Sequence, residues 1–377
     1  MTTGSEPRLR VALDGAPLLG DHTGIGRLTE EMLVALAARG DVDVSTYVIS
    51  RTGRRDVAPR VPPGVRIAGS VLPARYVYPL WERGWGPRIE RWTARVDVVH
   101  ATNYRVPPAR AAVVVSLHDL TFVQHPELVD EETRRFGTRL VELGIRRGAT
   151  VHVISDFVGA EVRAHFGLPP ERVVRVYPGV RAEPRGDAAA GAALAGADRY
   201  VLAVGTIEPR KNYPTLVRAF DAVAATEPGL SLVVAGRDGW DRPAFDAAVG
   251  AAAARDRIRT LGYVTETQRA DLLAGATVFA YPSLVEGFGF PPLEAMLAGV
   301  PVVAARQGTL EEVLGDAALL ADPADVDALA AALATAVGDD DTRRRLVPAG
   351  EARAGRYTWE RTGAGLAELY GRLIANP

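Results

Sequence analysis

Residues 199–225 read RYVLAVGTIEPRKNYPTLVRAFDAVAA. A short β-branched run over 200–205 ends in a glycine. An amphipathic stretch follows, predicted as a helix over 212–225. The same unit recurs along the chain. In the first half, strands are predicted at 10–14, 44–49, 96–101, 112–117, 150–154 and 173–177, with helices at 25–38, 131–147 and 156–166. In the second half, strands are predicted at 200–205, 230–236, 277–281, 300–305 and 317–321. Helices lie between them near 212–225, 243–254, 266–274 and 290–298, followed by 325–336, 340–355 and a last one over 357–374. Strands apolar on both faces, alternating with helices, predict parallel sheets covered on both sides. The stretch RAEPRGDAAAGAALAGAD (181–198) interrupts the alternation, lacks an apolar stripe and reads as a linker. The expectation is two Rossmann-like domains with a cleft between them: 1–180, a linker over 181–198, and 199–356.

Composition narrows the chemistry. The 377 residues are 47% hydrophobic and 24% charged, an ordinary globular balance. With no cysteine, disulfides, zinc–thiolate sites and cysteine nucleophiles are excluded. Neither a basic-plus-apolar leader nor an apolar run of about 18 residues is present, so a cytoplasmic protein is expected. Charge is uneven: residues 1–186 carry net +5 and residues 187–377 net −7. No basic cluster or motif suggests nucleic-acid binding. Nearly every cation is arginine, which suggests a GC-rich genome, yet one lysine stands at position 211.

Ligands of open parallel sheets bind beyond the carboxyl ends of the strands. There the sequence places Arg210 and Lys211, just after a strand end that contains Gly205 and before a predicted helix N-terminus. Two cations in that position suit an anion, arginine as a planar fork and lysine as a mobile point charge. The plain alternatives are a solvated surface pair and a residual codon. The second stretch is LVEGFGFPPLEAMLAGVPVV (284–303). Glu286 falls on its loop and Glu294 about one turn inside the helix. Gly287 and Gly289 allow backbone to approach a ligand, and Phe288 and Phe290 lie beside them. Two carboxylates so placed suit sugar hydroxyls; the alternative is a solvated helix glutamate and a helix-dipole partner.

These residues resemble the E-x7-E signature of the retaining glycosyltransferases of family 4, of GT-B fold, with a bacterial mannosyltransferase-like flavour. GTIEPRKN resembles that family's donor-phosphate loop, and HTGIGRLTEEML (22–33) its glycine-rich N-terminal loop. SLHDLTFVQHPE (116–127), SDFVGAEV (155–162) and VYPGV (176–180) resemble further segments in the same order. The resemblance implies sheets facing across the cleft and a last helix, 357–377, crossing back to the first domain. It implies transfer of a sugar from a nucleotide-diphosphate donor to a hydroxyl acceptor with retention and without metal or other cofactor, GDP-mannose being the donor favoured. Glycan, lipid-linked and secondary-metabolite acceptors stay open. Arg210 and Lys211 would hold the diphosphate and Glu294 the ribose. Glu286 and the amides after it would contact the transferred sugar, with His118 beside it. Gly24 and Gly26 would bring backbone to the diphosphate or acceptor, and Arg237 and the stretch 262–264, Val264 included, would lie near the base. Many members carry arginine after the loop glycine; this chain has Thr206.

Other readings of the same residues are a nucleotide-sugar epimerase or hydrolase, a pyridoxal-phosphate enzyme with Lys211 as the Schiff-base lysine, and a non-catalytic sugar-nucleotide sensor. The segment 76–95, with Trp81, Trp85 and Trp92 among arginines, reads either as an acceptor- or membrane-facing surface or as a helix packing its tryptophans inward. Asp-x-Asp at 41–43 and 325–327 reads as turn and helix-start chemistry rather than a metal site. His100, His125, His152 and His165 read as structural.

Overall fold

The computed structural model describes residues 8–20, 24–129, 131–181 and 186–375. The chain divides into two compact units, Met1–Gly179 with Thr358–Pro377, and Val180–Tyr357.

The first unit holds seven strands: β1 (Leu9–Asp14), β2 (Val42–Val48), β3 (Arg66–Gly69), β4 (Val98–Ala101), β5 (Ala112–Leu117), β6 (Thr150–Val153) and β7 (Val173–Arg175). They pair in the order β3-β2-β1-β4-β5-β6-β7, all parallel. The second unit holds β8 (Arg199–Val204), β9 (Leu230–Ala235), β10 (Ile258–Gly262), β11 (Val278–Tyr281), β12 (Val302–Ala305) and β13 (Leu319–Ala321). Their order is β10-β9-β8-β11-β12-β13, again parallel. Each sheet therefore has a switch point where strand order reverses, between β1 and β4 and between β8 and β11, and loops leaving those strands splay apart to leave room for a ligand. Strands central to each sheet are apolar on both faces because helices cover both.

Two edge strands, β3 and β10, escape the sequence pattern. RIAG and IRTLG are short, arginine-interrupted and only half-buried, so neither shows a buried strand's apolar run. The stretch 181–198 is corrected: Ala188–Ala195 is a helix rather than a linker. Asp187 accepts from the amides of Ala189 (2.8 Å) and Ala190 (3.3 Å), and Gly196 closes the other end in a left-handed turn. Its small side chains serve close approach: a Cβ on Gly191 would run into the carbonyl of Asp271, on the helix Glu266–Gly275. An apolar stripe was not needed where backbones touch. Residues 182–185 of that stretch lie outside the described residues.

The segment 76–95 divides between its two readings. Trp81 is buried and its indole N–H donates to the Pro87 carbonyl at 2.9 Å. Trp92 is half-buried, its ring 6.2 Å from that of Trp81. Trp85 points outward. One aspartate of each Asp-x-Asp pair serves local structure: Asp41 pairs with Arg39 at 2.6 Å, and Asp325 caps the helix Val326–Gly338 by accepting from Ala328 N.

The last helix, Trp359–Ala375, belongs to the first unit. It packs on the helix Gly24–Ala37, Thr362 Oγ1 donates to the Tyr177 carbonyl at 2.9 Å, and Tyr370 plugs into the sheet. Under it runs a buried polar chain across β4, β5 and β6. The contacts are Tyr370 Oη to His100 Nδ1 (2.6 Å), His100 Nε2 to Ser116 Oγ (2.8 Å), Ser116 Oγ to His152 Nδ1 (2.8 Å) and His152 Nε2 to the Val176 carbonyl (3.3 Å). A carbonyl only accepts, so His152 Nε2 carries hydrogen and Nδ1 accepts from Ser116. Ser116 then accepts from His100 Nε2–H, and His100 Nδ1 accepts from the Tyr370 hydroxyl. One hydrogen-bond direction runs through five groups, and it holds both histidines neutral. Burial, with His118 nearby, pushes His152 down to about 4; burial, then His152 and His118, push His100 well below the usual range.

These histidines charge more easily in the unfolded chain than in the folded one, so the unfolded state binds the extra protons as pH drops. Stability is full above about pH 6.5 and declines between there and about pH 4, by about 3 kcal/mol at most for His152. Melting temperature measured at pH 7.5 and pH 5 should fall in acid, and His152→Gln should flatten that slope.

Candidate active site

The second unit's switch point is where the sequence placed its chemistry. After β8 the chain passes Gly205, buries Ile207, makes a 3-10 turn over Pro209–Lys211 and enters the helix Tyr213–Ala224 through Asn212. Asn212 takes the left-handed conformation (φ 56°) and its side-chain amide donates to the carbonyl of Pro323 at 2.8 Å. After β11 the chain runs through 282–289 into the helix Phe290–Leu297. The two loops are tied by the Leu284 amide donating to the Arg210 carbonyl at 2.8 Å.

Lys211 lies at the centre, with 6% of its surface exposed. Its Nζ donates to Glu286 Oε1 at 2.6 Å and to the Tyr281 hydroxyl at 2.9 Å, and stands 4.7 Å from the centre of the Tyr281 ring. A Cβ at Gly205, whose φ is +151°, would sit 3.3 Å from Lys211 Cε and 3.0 Å from Tyr213 Oη. The slot thus takes a thin aliphatic stem and a compact charge, which a planar guanidinium does not match. Arg210 sits at the rim, its NH1 2.8 Å from Glu286 Oε1 and its Nε 2.6 Å from Glu208 Oε1. Arg210 and Lys211 are therefore not a solvated pair.

Burial pushes the Glu286 carboxyl up, but Arg210 and Lys211, with hydrogen bonds from Lys211 and Tyr281, more than offset it and hold the acid at about 2. Lys211 moves the other way. Burial first, then Arg210, lower it further than Glu286, with a smaller contribution from Glu208, can raise it. Glu286 thus faces both cations, while Glu208 faces Arg210 alone. An ammonium has three N–H bonds; Tyr281 and Glu286 engage two, leaving one for a ligand.

The remaining expected residues fall into three places. Gly287, Phe288, Gly289 and Phe290 follow Glu286, but the Phe288 side chain is buried against Phe290 and Tyr357, so only its backbone faces the loop's business. Glu294 is not a solvated helix residue: its Oε2 is 2.6 Å from Arg269 NH1. Arg237, after β9, stacks over the exposed Tyr263 ring at 5.1 Å, and half-buried Val264 is next to that ring in sequence. In the first unit, Gly24 and Gly26 open the helix Gly24–Ala37, Gly24 exposed and Gly26 buried. His118 follows β5; its Nε2 donates to the Thr102 carbonyl at 2.9 Å, and burial lowers its proton affinity. Nδ1 is then a bare acceptor, and no described residue pairs with it.

Sequence reading missed Tyr281, Glu208 and Arg269. Tyr281 ends a strand as an ordinary aromatic, and Glu208 was legible only as the acid two residues before Arg210. Arg269 lies 25 residues from Glu294 and leaves no local signal. Among the described residues, no group of three or more His, Asp or Glu side chains is placed to hold a metal ion.

Residues 188–353 match the glycosyl transferases group 1 family, and residues 22–183 match glycosyltransferase family 4. An O-antigen chain mannosyltransferase B of Escherichia coli is 32% identical over 284 residues, covering 73% of this chain and 74% of that one. The chain belongs to glycosyltransferase family 4. It is a glycosyltransferase, of the family's mannosyltransferase-like group. Among solved structures, sucrose-phosphate synthase from Thermosynechococcus elongatus superposes with a TM-score of 0.75 at 23% identity, covering 98% of this chain and all of that one. Anabaena HepE, solved with UDP and glucose, superposes at 0.68 with 18% identity, covering 97% of this chain and all of that one. The shared fold is the GT-B class expected from the sequence.

Within this glycosyltransferase, Glu286→Gln would strip a buried ammonium of its counter-ion. We expect a loss of about 3 kcal/mol, or about 2–4 °C in melting temperature per kcal/mol. Glu208→Gln, which removes the partner of the half-exposed Arg210 only, should cost well under half as much. Thermal melts of the two variants side by side check this.

Proposed function

We propose that this enzyme moves a sugar from a nucleotide-diphosphate donor to a hydroxyl acceptor with retention at the anomeric carbon. The observation that carries the proposal is the buried Lys211 ammonium, held at the sheet's switch point with one N–H uncommitted. That is an anion site built at the cost of desolvating a charge, and such a cost is met where developing charge must be stabilised.

When the bond between the anomeric carbon and the diphosphate oxygen breaks, the diphosphate gains negative charge. Lys211 is already in place to receive it, with Arg210 at the rim beside it. The amides from Gly287 to the start of the helix Phe290–Leu297 add oriented N–H groups. The acceptor oxygen forms its bond to the same face of the sugar, and its proton passes to the departing phosphate oxygen. The two cations thereby take the part a divalent metal would play. Glu294, oriented by Arg269, accepts from the ribose hydroxyls. His118, with Nδ1 a bare acceptor, takes a hydrogen bond from a sugar hydroxyl. Arg237 and Tyr263 offer a flat surface to the base.

GDP-mannose is the donor we favour, supported by similarity to the mannosyltransferase of Escherichia coli. UDP-glucose is the alternative, supported by the UDP and glucose bound to the Anabaena relative. Family membership weighs against the epimerase, hydrolase, pyridoxal and sensor readings. The proposed location is the cytoplasm; among the described residues, no helix is long and apolar enough to cross a membrane.

Thermal melts with UDP, GDP, ADP and dTDP in the presence of a chelator test the donor. GDP at about 100 times its dissociation constant should add about 2.7 kcal/mol, and no shift from any of the four would overturn the diphosphate site. Lys211→Ala should lower kcat by about 10²–10³, with Lys211→Arg milder. Wild-type turnover by Lys211→Ala would remove its role, and an inverted anomer in the product's NMR spectrum would remove the retaining mechanism.

A further inference from the structure

We propose that residues 71–91 of the first unit form a docking surface for an anionic lipid bilayer. The helix Ala74–Glu82 carries apolar side chains on two faces. Val77 and Trp81 turn inward, into a core with Ala12, Tyr47 and Ala68. Tyr76 (57% exposed) and Leu80 (41%) stand one turn apart on the outside. Val71 (79%) and Leu72 (47%) precede them, and Trp85 (76%) follows. Five of the chain's exposed large apolar side chains thus fall within 15 consecutive residues, and among the described residues nothing covers them.

The outward position of Trp85 is built. Gly84 (φ +79°) and Gly86 (φ +135°) flank it in conformations that side chains disfavour, and the Trp85 amide donates to the Leu80 carbonyl at 2.9 Å. The turn therefore holds the largest apolar side chain of the segment in solvent, next to Leu80.

Charge selects the partner. Arg75, Arg83, Arg88 and Arg91 are exposed around these residues, and the Arg75 guanidinium lies 5.0 Å from the centre of the Tyr76 ring. The segment's two acids are engaged elsewhere. Glu82 faces Arg105 at 3.7 Å, and Glu90 accepts from the backbone amides of Arg110 and Ala111. What remains outward is one sign of charge around Trp, Tyr and Leu. Anionic headgroups answer the arginines, and the headgroup–acyl boundary suits amphipathic aromatic rings. A folded protein partner would have to present a purely acidic rim around an apolar pocket. Docking here would bring the enzyme to acceptors carried on lipid.

Sedimentation of the full chain with sucrose-loaded vesicles tests this. Vesicles of equal phosphatidylglycerol and phosphatidylcholine should pellet the protein at low salt, and phosphatidylcholine alone should not. Trp85→Ser with Leu80→Ser should weaken binding at least tenfold, and Arg75→Gln, Arg83→Gln and Arg88→Gln together should abolish the preference for the anionic lipid. Unchanged melting temperature and nucleotide-diphosphate binding would show that the variants are folded. Wild-type protein staying in the supernatant, or the double variant pelleting as well as wild type, overturns the proposal. Concentration-dependent dimerisation lost in Trp85→Ser, without vesicle binding, overturns it in favour of self-association.

Discussion

An ammonium cannot be buried alone, and the second unit is organised around that constraint. Lys211 is 6% exposed, so it must be met by a carboxylate and by polar groups within reach. Glu286 and the Tyr281 hydroxyl meet it, at 2.6 and 2.9 Å. Those partners come from the end of β11 and the loop after it, while Lys211 comes from the loop after β8. The strand order makes β8 and β11 neighbours, so the ion pair sits where the strand order reverses and joins the two loops there. The constraint also settles why one lysine persists among arginines. The stem lies against Gly205 and the charge against the Tyr281 ring, a slot with depth but no width.

The first unit solves a related problem with neutral groups. Its sheet buries His100, Ser116 and His152, and the last helix adds Tyr370. Each donor has one acceptor, and the Val176 carbonyl fixes the direction of the whole chain. The arrangement is satisfied in a single protonation pattern, which makes it a specific fastener for a helix whose sequence neighbours lie in the other unit. A purely apolar plug would bury as much surface but would not register the helix along its axis as sharply.

Most of the architecture was legible because the alternation of β-branched runs and amphipathic stretches is strong wherever strands are central. It failed at one edge of each sheet: β3 and β10 have one partner each and half-exposed faces, so their sequences look like loops. It failed again at Ala188–Ala195, where close packing of small residues produces the opposite of an amphipathic stripe. Arg210, Lys211 and Glu286, which the structure brings together, were legible as candidates because a glycine and two strand ends mark their loops. Their partnerships were not. Composition shows that Lys211 is unusual, but only three dimensions show that its counter-ion is Glu286 and that Arg269 pairs with Glu294. The tryptophan segment divided for a similar reason: a helix with apolar residues all round gives no sequence clue as to which face is inward.

The balance of charge in the site carries a last consequence. Arg210 and Lys211 are matched by Glu208 and Glu286, two cations against two carboxylates. An entering diphosphate must therefore compete with carboxylates. The competition is unequal for the two cations. Lys211 is fixed by Tyr281 and Glu286 and has an N–H to spare, so it can bind phosphate without giving anything up. Arg210 is 30% exposed on its side chain and holds two carboxylates, so full engagement with phosphate requires it to loosen one. Glu208, on the same loop, has only Arg210 among its described ion partners, whereas Glu286 keeps Lys211 and Tyr281 if Arg210 leaves. On the proposed reading, Lys211 is the preformed part of the diphosphate site and Arg210 the part that rearranges. That division follows from counting hydrogen bonds, and it assigns ground-state binding chiefly to the buried cation and closure on the leaving group to the one at the rim.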